Sequence, residues 1–268
     1  MKDRPTILIP VSVLEGESIP EGVPELLANA HVVLLGYHVV PDQTATDQAR
    51  DQFEDQATRR LNDFTEMLEE AGASVESRLV FTHDGQKTID RISSEEECLA
   101  VLIPNAARPI ENILVPIRGV VGIGRFVRLL SGLLTPADDE STSSRIRSAL
   151  TRKGSAPSRV NITLLHIVEE NETEEDAETL LDGIATRLSE EGIPRDVIDI
   201  EISRGDNSQE MIVDAADDYD VIVMGESDPS VTTFLFGMSA DQVADQFLGP
   251  VFVIQHGEPG GDEETDTE

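Results

Sequence analysis

The sequence has one cysteine, no tryptophan and few basic residues, and none of its apolar runs is long. The single cysteine, Cys98, excludes an internal disulfide and suits a reducing compartment. It leads into the apolar run Cys98 to Ile103, a setting for a buried structural thiol and not for a nucleophile. No apolar stretch approaches the roughly 20 residues of a membrane span, so no transmembrane segment is expected. Met1 to Thr6 enters an apolar strand directly, without a signal-like segment, and a cytoplasmic location is expected. Twenty Lys and Arg stand against 53 Asp and Glu, for a formal charge of −33 spread along the chain. A surface of that sign repels phosphates and excludes a binder of duplex nucleic acid.

What is present is mostly acid. Such a surface also repels itself, and the repulsion is tolerable where salt shortens the Debye length to roughly 3 Å at 1 M. A halophile's protein is the reading that follows. The many carboxylates show no spacing that selects a metal, and no Ser/His/Asp constellation can be assembled, so neither a metal site nor catalytic residues are expected.

At 268 residues the chain suits two domains, each able to bury a core. Thr6 to Val11, Val32 to Val40, Val75 to Phe81 and Cys98 to Ile103 read as strands of a parallel sheet. Between the second and third, Ala49, Phe53, Ala57, Leu61, Phe64 and Leu68 mark one helix face, which Gly72 ends. A shorter helix spans Lys87 to Ser94. The order then restarts. NILVPI at Asn112 to Ile117 echoes TILIPV at Thr6 to Val11, and LHIV at Leu165 to Val168 echoes YHVV at Tyr37 to Val40. Val221 to Met224 echoes Ala100 to Ile103. The spacing between echoes widens after the first strand, locating an insertion at Thr135 to Ser158.

This is an internal duplication of alternating strand and helix, predicting α/β architecture with two doubly wound parallel sheets. The first copy passes through Asn105 to Pro109 into the next without a counterpart of Gly225 to Gln255, so it is truncated. The domains are expected at 1–109 and 110–255, followed by a disordered acidic tail at 256–268. In the second copy Asp206 with Gln209 forms a capping box before a helix, and Ser239 with Gln242 another.

The paired ILIPV and ILVPI strands, the LHIV and VIVMG strands and the closing run SADQVADQFLGPVFVI resemble the universal stress protein family, here in tandem form. The resemblance covers Pro5 to Gln255 apart from the insertion. It implies the family's adenine nucleotide alpha hydrolase-like fold, with a five-stranded parallel sheet per domain and commonly dimers. In nucleotide-binding members a carboxylate after the first strand holds the ribose or base side of ATP. A Gly-x-x-Gly, nine further residues and Gly-Ser/Thr cradle the phosphates, where glycines admit backbone N–H groups.

Carried onto this chain, the pattern is broken. Ser12 and Arg118 occupy the two carboxylate positions. Gly225 matches the first glycine, Asp228 replaces the second, and eight residues, Pro229 to Phe236, precede Gly237, with Met238 before Ser239. Glu226 adds charge of the same sign as a phosphate. No cofactor is therefore expected, with ATP or AMP in this degenerate loop as the alternative.

Two surfaces are expected to bind partners. Val251, Phe252, Val253 and Ile254 would form a sheet edge that pairs with the same strand of a second copy, giving a homodimer. Val120 to Leu134 is apolar nearly all round, with Arg125 and Arg128 as polar marks, next to further basic residues at Arg145, Arg147, Arg152, Lys153 and Arg159. Either the other domain or the insertion covers its spare face, or Arg125, Phe126, Arg128 and Leu129 dock a partner such as a membrane transporter or an anionic lipid surface. His38 and His166, symmetric in the two copies, read as core-filling or strand-capping side chains. The functional expectation is a non-catalytic cytoplasmic regulator or adaptor in stress or transport physiology; the alternative is an ATP- or AMP-binding switch.

Overall fold

The computed structural model describes residues 4–104, 110–119, 122–135, 160–169, 172–205, 207–225 and 249–255. The 105–109 connection, nearly all of the insertion, Asp206, Asp228, Gly237, Ser239 and the tail lie outside the described residues.

The inner strands are mostly apolar on both faces, because both faces of the sheet are covered. In the first half these strands are β1 (Thr6–Ser12), β2 (His31–Val39), β3 (Ser74–Thr82) and β4 (Ala100–Ile103). In the second they are β5 (Asn112–Pro116), β6 (Asn161–Val168), β7 (Ile198–Arg204), β8 (Val221–Gly225) and β9 (Val251–Ile254). Among the described residues they form one nine-stranded sheet in the order β3-β2-β1-β4-β9-β8-β5-β6-β7. Every neighbouring pair is parallel except β4 and β9, which run antiparallel. Strand β7 was not read from the sequence, because IDIEISR alternates polar with apolar residues and three of its positions are exposed.

The alternation of side chains puts Ile7, Ile9, Val11, Ile113, Val115, Val221, Val223, Phe252 and Ile254 into one continuous core shared by both halves. Helices α1 (Val23–Leu26), α2 (Thr46–Ala71), α4 (Ile123–Leu134) and α5 (Glu174–Glu190) cover it. On the opposite face α3 (Gly85–Glu95) covers Leu8, Val33, Leu35 and Val101, and α6 (Ser208–Ala216) covers Leu114, Leu165, Ile222 and Met224.

The helix ends follow local chemistry. Gly72 ends α2 at φ +114°, and the Gly72 and Ala73 N–H groups donate to Glu69 and Leu68. Thr173 caps α5 by accepting from Asp176 N at 3.1 Å, and Glu174, Glu175 and Asp176 set negative charge on the first turn. Helix α6 starts one residue later than the capping box at Asp206 would place it. Asn207 is its cap, accepting from Glu210 N at 3.3 Å.

Two surface expectations are corrected here. Val251, Phe252, Val253 and Ile254 are not a sheet edge. β9 is paired on both sides, with β8 and with β4, and all four residues are buried. Among the described residues the first half contributes four strands, and β9 lies against the last of them, β4.

The docking patch on α4 is also internal. Phe126 and Leu129 are 7 % and 0 % exposed. From the first half, Asn29 Nδ2 donates to the carbonyls of Leu133 and Thr135 at 3.2 and 3.3 Å. Pro5 sits so close to Gly132 that an added Cβ would come within 2.7 Å of Pro5 Cδ. Arg125 reaches the carbonyl of Cys98 at 3.5 Å, and of the four docking residues Arg128 is the exposed one. The helix is apolar nearly all round because both halves pack on it.

Candidate functional site

In an open α/β sheet, ligands gather at the carboxyl ends of the strands, where connections diverge. At the ends of β5 and β6, beside the start of α6, lies a cavity of about 190 Å³. Its floor is aliphatic: Ile117, Leu165, Ile167 and Ile212. Its polar wall is Arg118, His166, Glu169, Glu172 and Ser208.

The register explains the grouping. Pro116 pairs with Leu165, so Arg118 leaves β5 just as His166 passes on β6, and α6 returns to place Ser208 over both. Arg118 Nη2 donates to Ser208 Oγ and faces Glu169 Oε1 at 3.4 Å. Ser208 Oγ donates to the same Glu169 oxygen at 3.3 Å. His166 is buried, its Nδ1 2.6 Å from the carbonyl of Ile117 and its Nε2 3.1 Å from Glu172 Oε2. Glu172 also accepts from Glu169 N at 3.4 Å.

The donors and acceptors differ in how firmly they are held. His166 and Ser208 are buried in β6 and α6, and Arg118 stands two residues past β5 with its side chain 35 % exposed. Glu169 and Glu172 lie between β6 and α5, with side chains 59 % and 45 % exposed.

The sequence-derived site residues are only partly brought together. Arg118 turns toward β6 and α6. Gly225 ends β8, where an added Cβ would meet Phe126 at 3.9 Å, an ordinary contact, so no described neighbour requires glycine there. Ser12 is 2 % exposed; its N–H donates to Glu17 Oε2 at 2.5 Å, and among the described residues its Oγ has no hydrogen-bond partner. Asp228, Gly237 and Ser239 lie outside the described residues.

His38 and His166 are not equivalent. Ile7 pairs with Val32, and Ile113 with Ile162, which sets His166 at the position of Gly36, two residues before His38. His38 instead packs edge-on against Phe53 and Phe81, with ring centroids 5.9 and 6.0 Å away. Sequence reasoning passed over Glu169, Glu172 and Ser208. A carboxylate just past the LHIV strand and a serine opening the next strand-following helix were the available signals.

Among the described residues no group of His, Cys, Asp and Glu could hold a metal ion, and no helix is long and apolar enough to cross a membrane. No protein-family model matches the sequence, and no curated protein matches it. Solved structures do. A universal stress protein from Archaeoglobus fulgidus DSM 4304 is similar over 94 % of this chain and 98 % of its own, at 15 % identity and a TM-score of 0.55. A protein from Pseudomonas aeruginosa UCBPP-PA14 assigned to the universal stress proteins covers 95 % and 94 %, at 17 % identity and a TM-score of 0.49. The cytoplasmic domain of a prokaryotic cation chloride cotransporter covers 95 % and 97 %, at 12 % identity and a TM-score of 0.47. Taken with the sheet order and the helices on both faces, the first of these likenesses establishes a universal stress protein-like fold for this chain.

Proposed function

We propose that this chain works without catalysis, as a regulator or adaptor that binds protein partners, a membrane transporter among them, in stress or transport physiology. The observation that carries the reading is Arg118. It stands where nucleotide-binding members of the resembled family place a carboxylate, and it is engaged by Glu169 and Ser208. Its counterpart Ser12 is buried. The cavity of about 190 Å³ is smaller than the roughly 300–1,000 Å³ of ordinary ligand pockets.

The two halves are read as domains 1–109 and 110–255 in tandem, in the cytoplasm of a halophile, as the charge of −33 suggests. Any homodimer has to use a surface other than β9, since both edges of that strand are paired within the chain.

A second reading has support in Gly225: nothing described around it needs a glycine, which leaves approach of a phosphate to the backbone as a reason for one. On that reading the chain is an ATP- or AMP-binding switch. Denaturing the purified protein and analysing the supernatant by chromatography separates the two. The adaptor reading expects no stoichiometric nucleotide, and unchanged behaviour in Gly237→Val. Stoichiometric ATP or AMP, lost in Gly237→Val, would replace it with the switch.

A further inference from the structure

The polar wall of the cavity has an asymmetry that the adaptor reading does not use. Two of its donors are held in regular structure, His166 buried in β6 and Ser208, 6 % exposed, at the start of α6, and Arg118 stands two residues past β5. Its acceptors are two carboxylates on the segment between β6 and α5, both substantially exposed. One of them, Glu169, takes hydrogen bonds from Arg118 Nη2 and Ser208 Oγ on a single oxygen. A carboxylate that is half in water and held at 3.3 to 3.4 Å is a weak ligand of its own site.

We propose that this cavity binds a short aliphatic carboxylate, and that Glu169 occupies the carboxylate position as an internal competitor. Arg118 recognises the head group by charge-assisted hydrogen bonds, and Ser208 Oγ fixes its orientation. The aliphatic body lies on Ile117, Leu165 and Ile212, a floor that a bare inorganic anion would leave unused. About 190 Å³ corresponds to roughly six waters at about 30 Å³ each, enough for a chain of a few carbons. Ligand entry moves the Glu169 side chain into solvent. This inference draws on the same Arg118 and Glu169 contacts as the adaptor reading but is decided separately, since nucleotide release tests that reading and titration with butyrate tests this one.

Calorimetric titration of the full chain with butyrate, in molar KCl throughout, tests it. Glu169→Ala should bind butyrate at least tenfold more tightly than wild type. Adding Arg118→Gln to that variant should abolish binding, and adding Ser208→Ala should weaken it severalfold. Glu175→Ala removes an equal charge from an exposed position on the first turn of α5 and should change affinity less than twofold. Inorganic phosphate should bind Glu169→Ala more weakly than butyrate does. Circular dichroism confirms the fold of each variant. The proposal is overturned if Glu169→Ala binds butyrate no better than wild type, if the Arg118→Gln double variant retains binding, or if phosphate binds as well as butyrate.

Discussion

Phe252 of β9 lies opposite Leu102 of β4 in the antiparallel pair, and on its other side it aligns with Val223 of β8. All three are buried in the same core. One strand of four residues therefore closes both halves of the sheet. Its backbone groups bridge two sets of strands that, among the described residues, also meet at α4.

The two halves should consequently lose structure together. Phe252→Ala removes a fully buried ring and is expected to cost about 3–5 kcal/mol. Urea denaturation in molar KCl, followed by circular dichroism and by reactivity of Cys98 in the first half, should give coincident single transitions for wild type, and an earlier but still coincident one for the variant. Separate transitions in wild type would mean that β9 does not couple the halves.

The antiparallel seam can be trapped chemically. Ile103 and Val251 are register partners, and directly opposite residues in such pairs have Cα atoms about 4.5–5.5 Å apart, within reach of a disulfide. In a Cys98→Ser background, Ile103→Cys with Val251→Cys should form an intrachain cross-link on mild oxidation, running as a monomer on a denaturing gel. A covalent dimer would instead place β9 against another copy.

Most of the strands were legible because a strand buried on both faces is a continuous apolar run, as TILIPV and VIVMG are. The seam was not. VFVI has the same four apolar residues whether it lies at an edge or between two strands, since burial of its faces says nothing about who takes its backbone hydrogen bonds. Helix α4 showed the opposite weakness: its excess of apolar residues was visible, but Pro5 and Asn29, which cover it, are far away in sequence. The cavity was hidden for a similar reason. Arg118, His166 and Ser208 are ordinary residue types on three separate elements, and the apparent match of His38 to His166 was two residues out of register.

Cys98 should behave as an inert thiol. Burial, and then the nearby Glu96 charge, push it up to about 12 from the ordinary value. At pH 8 about one thiol in ten thousand is ionised in the folded chain, against about a quarter for an unfolded thiol near 8.5. Alkylation at pH 8 should therefore be slow in molar KCl and speed up by orders of magnitude in urea. Because the folded value is the higher one, this group's contribution to stability is intact below about 8.5 and is lost as pH rises toward about 12. Fast alkylation of the folded protein at pH 8 would contradict the buried placement.

The charge of −33 bears on conditions more than on fold. Ion pairs in the described structure are mostly exposed, such as Arg91 with Glu95 at 2.9 Å, and pairs of that kind contribute little each. With 53 acidic residues and 20 basic ones, most carboxylates have no cation of their own to pair with, and their mutual repulsion acts against compactness. Salt at about 1 M confines that repulsion to roughly 3 Å, whereas at about 0.01 M it extends to roughly 30 Å. The melting temperature should accordingly rise steeply from dilute buffer to molar KCl, then flatten once screening is complete. Replacing exposed acids on the outer face of α2, such as Asp51, Glu54 and Asp55, with Gln or Asn should shrink the salt-dependent part of the rise. A melting temperature indifferent to KCl would mean that the acidic surface is not held together by screening, and the halophilic reading would fall with it.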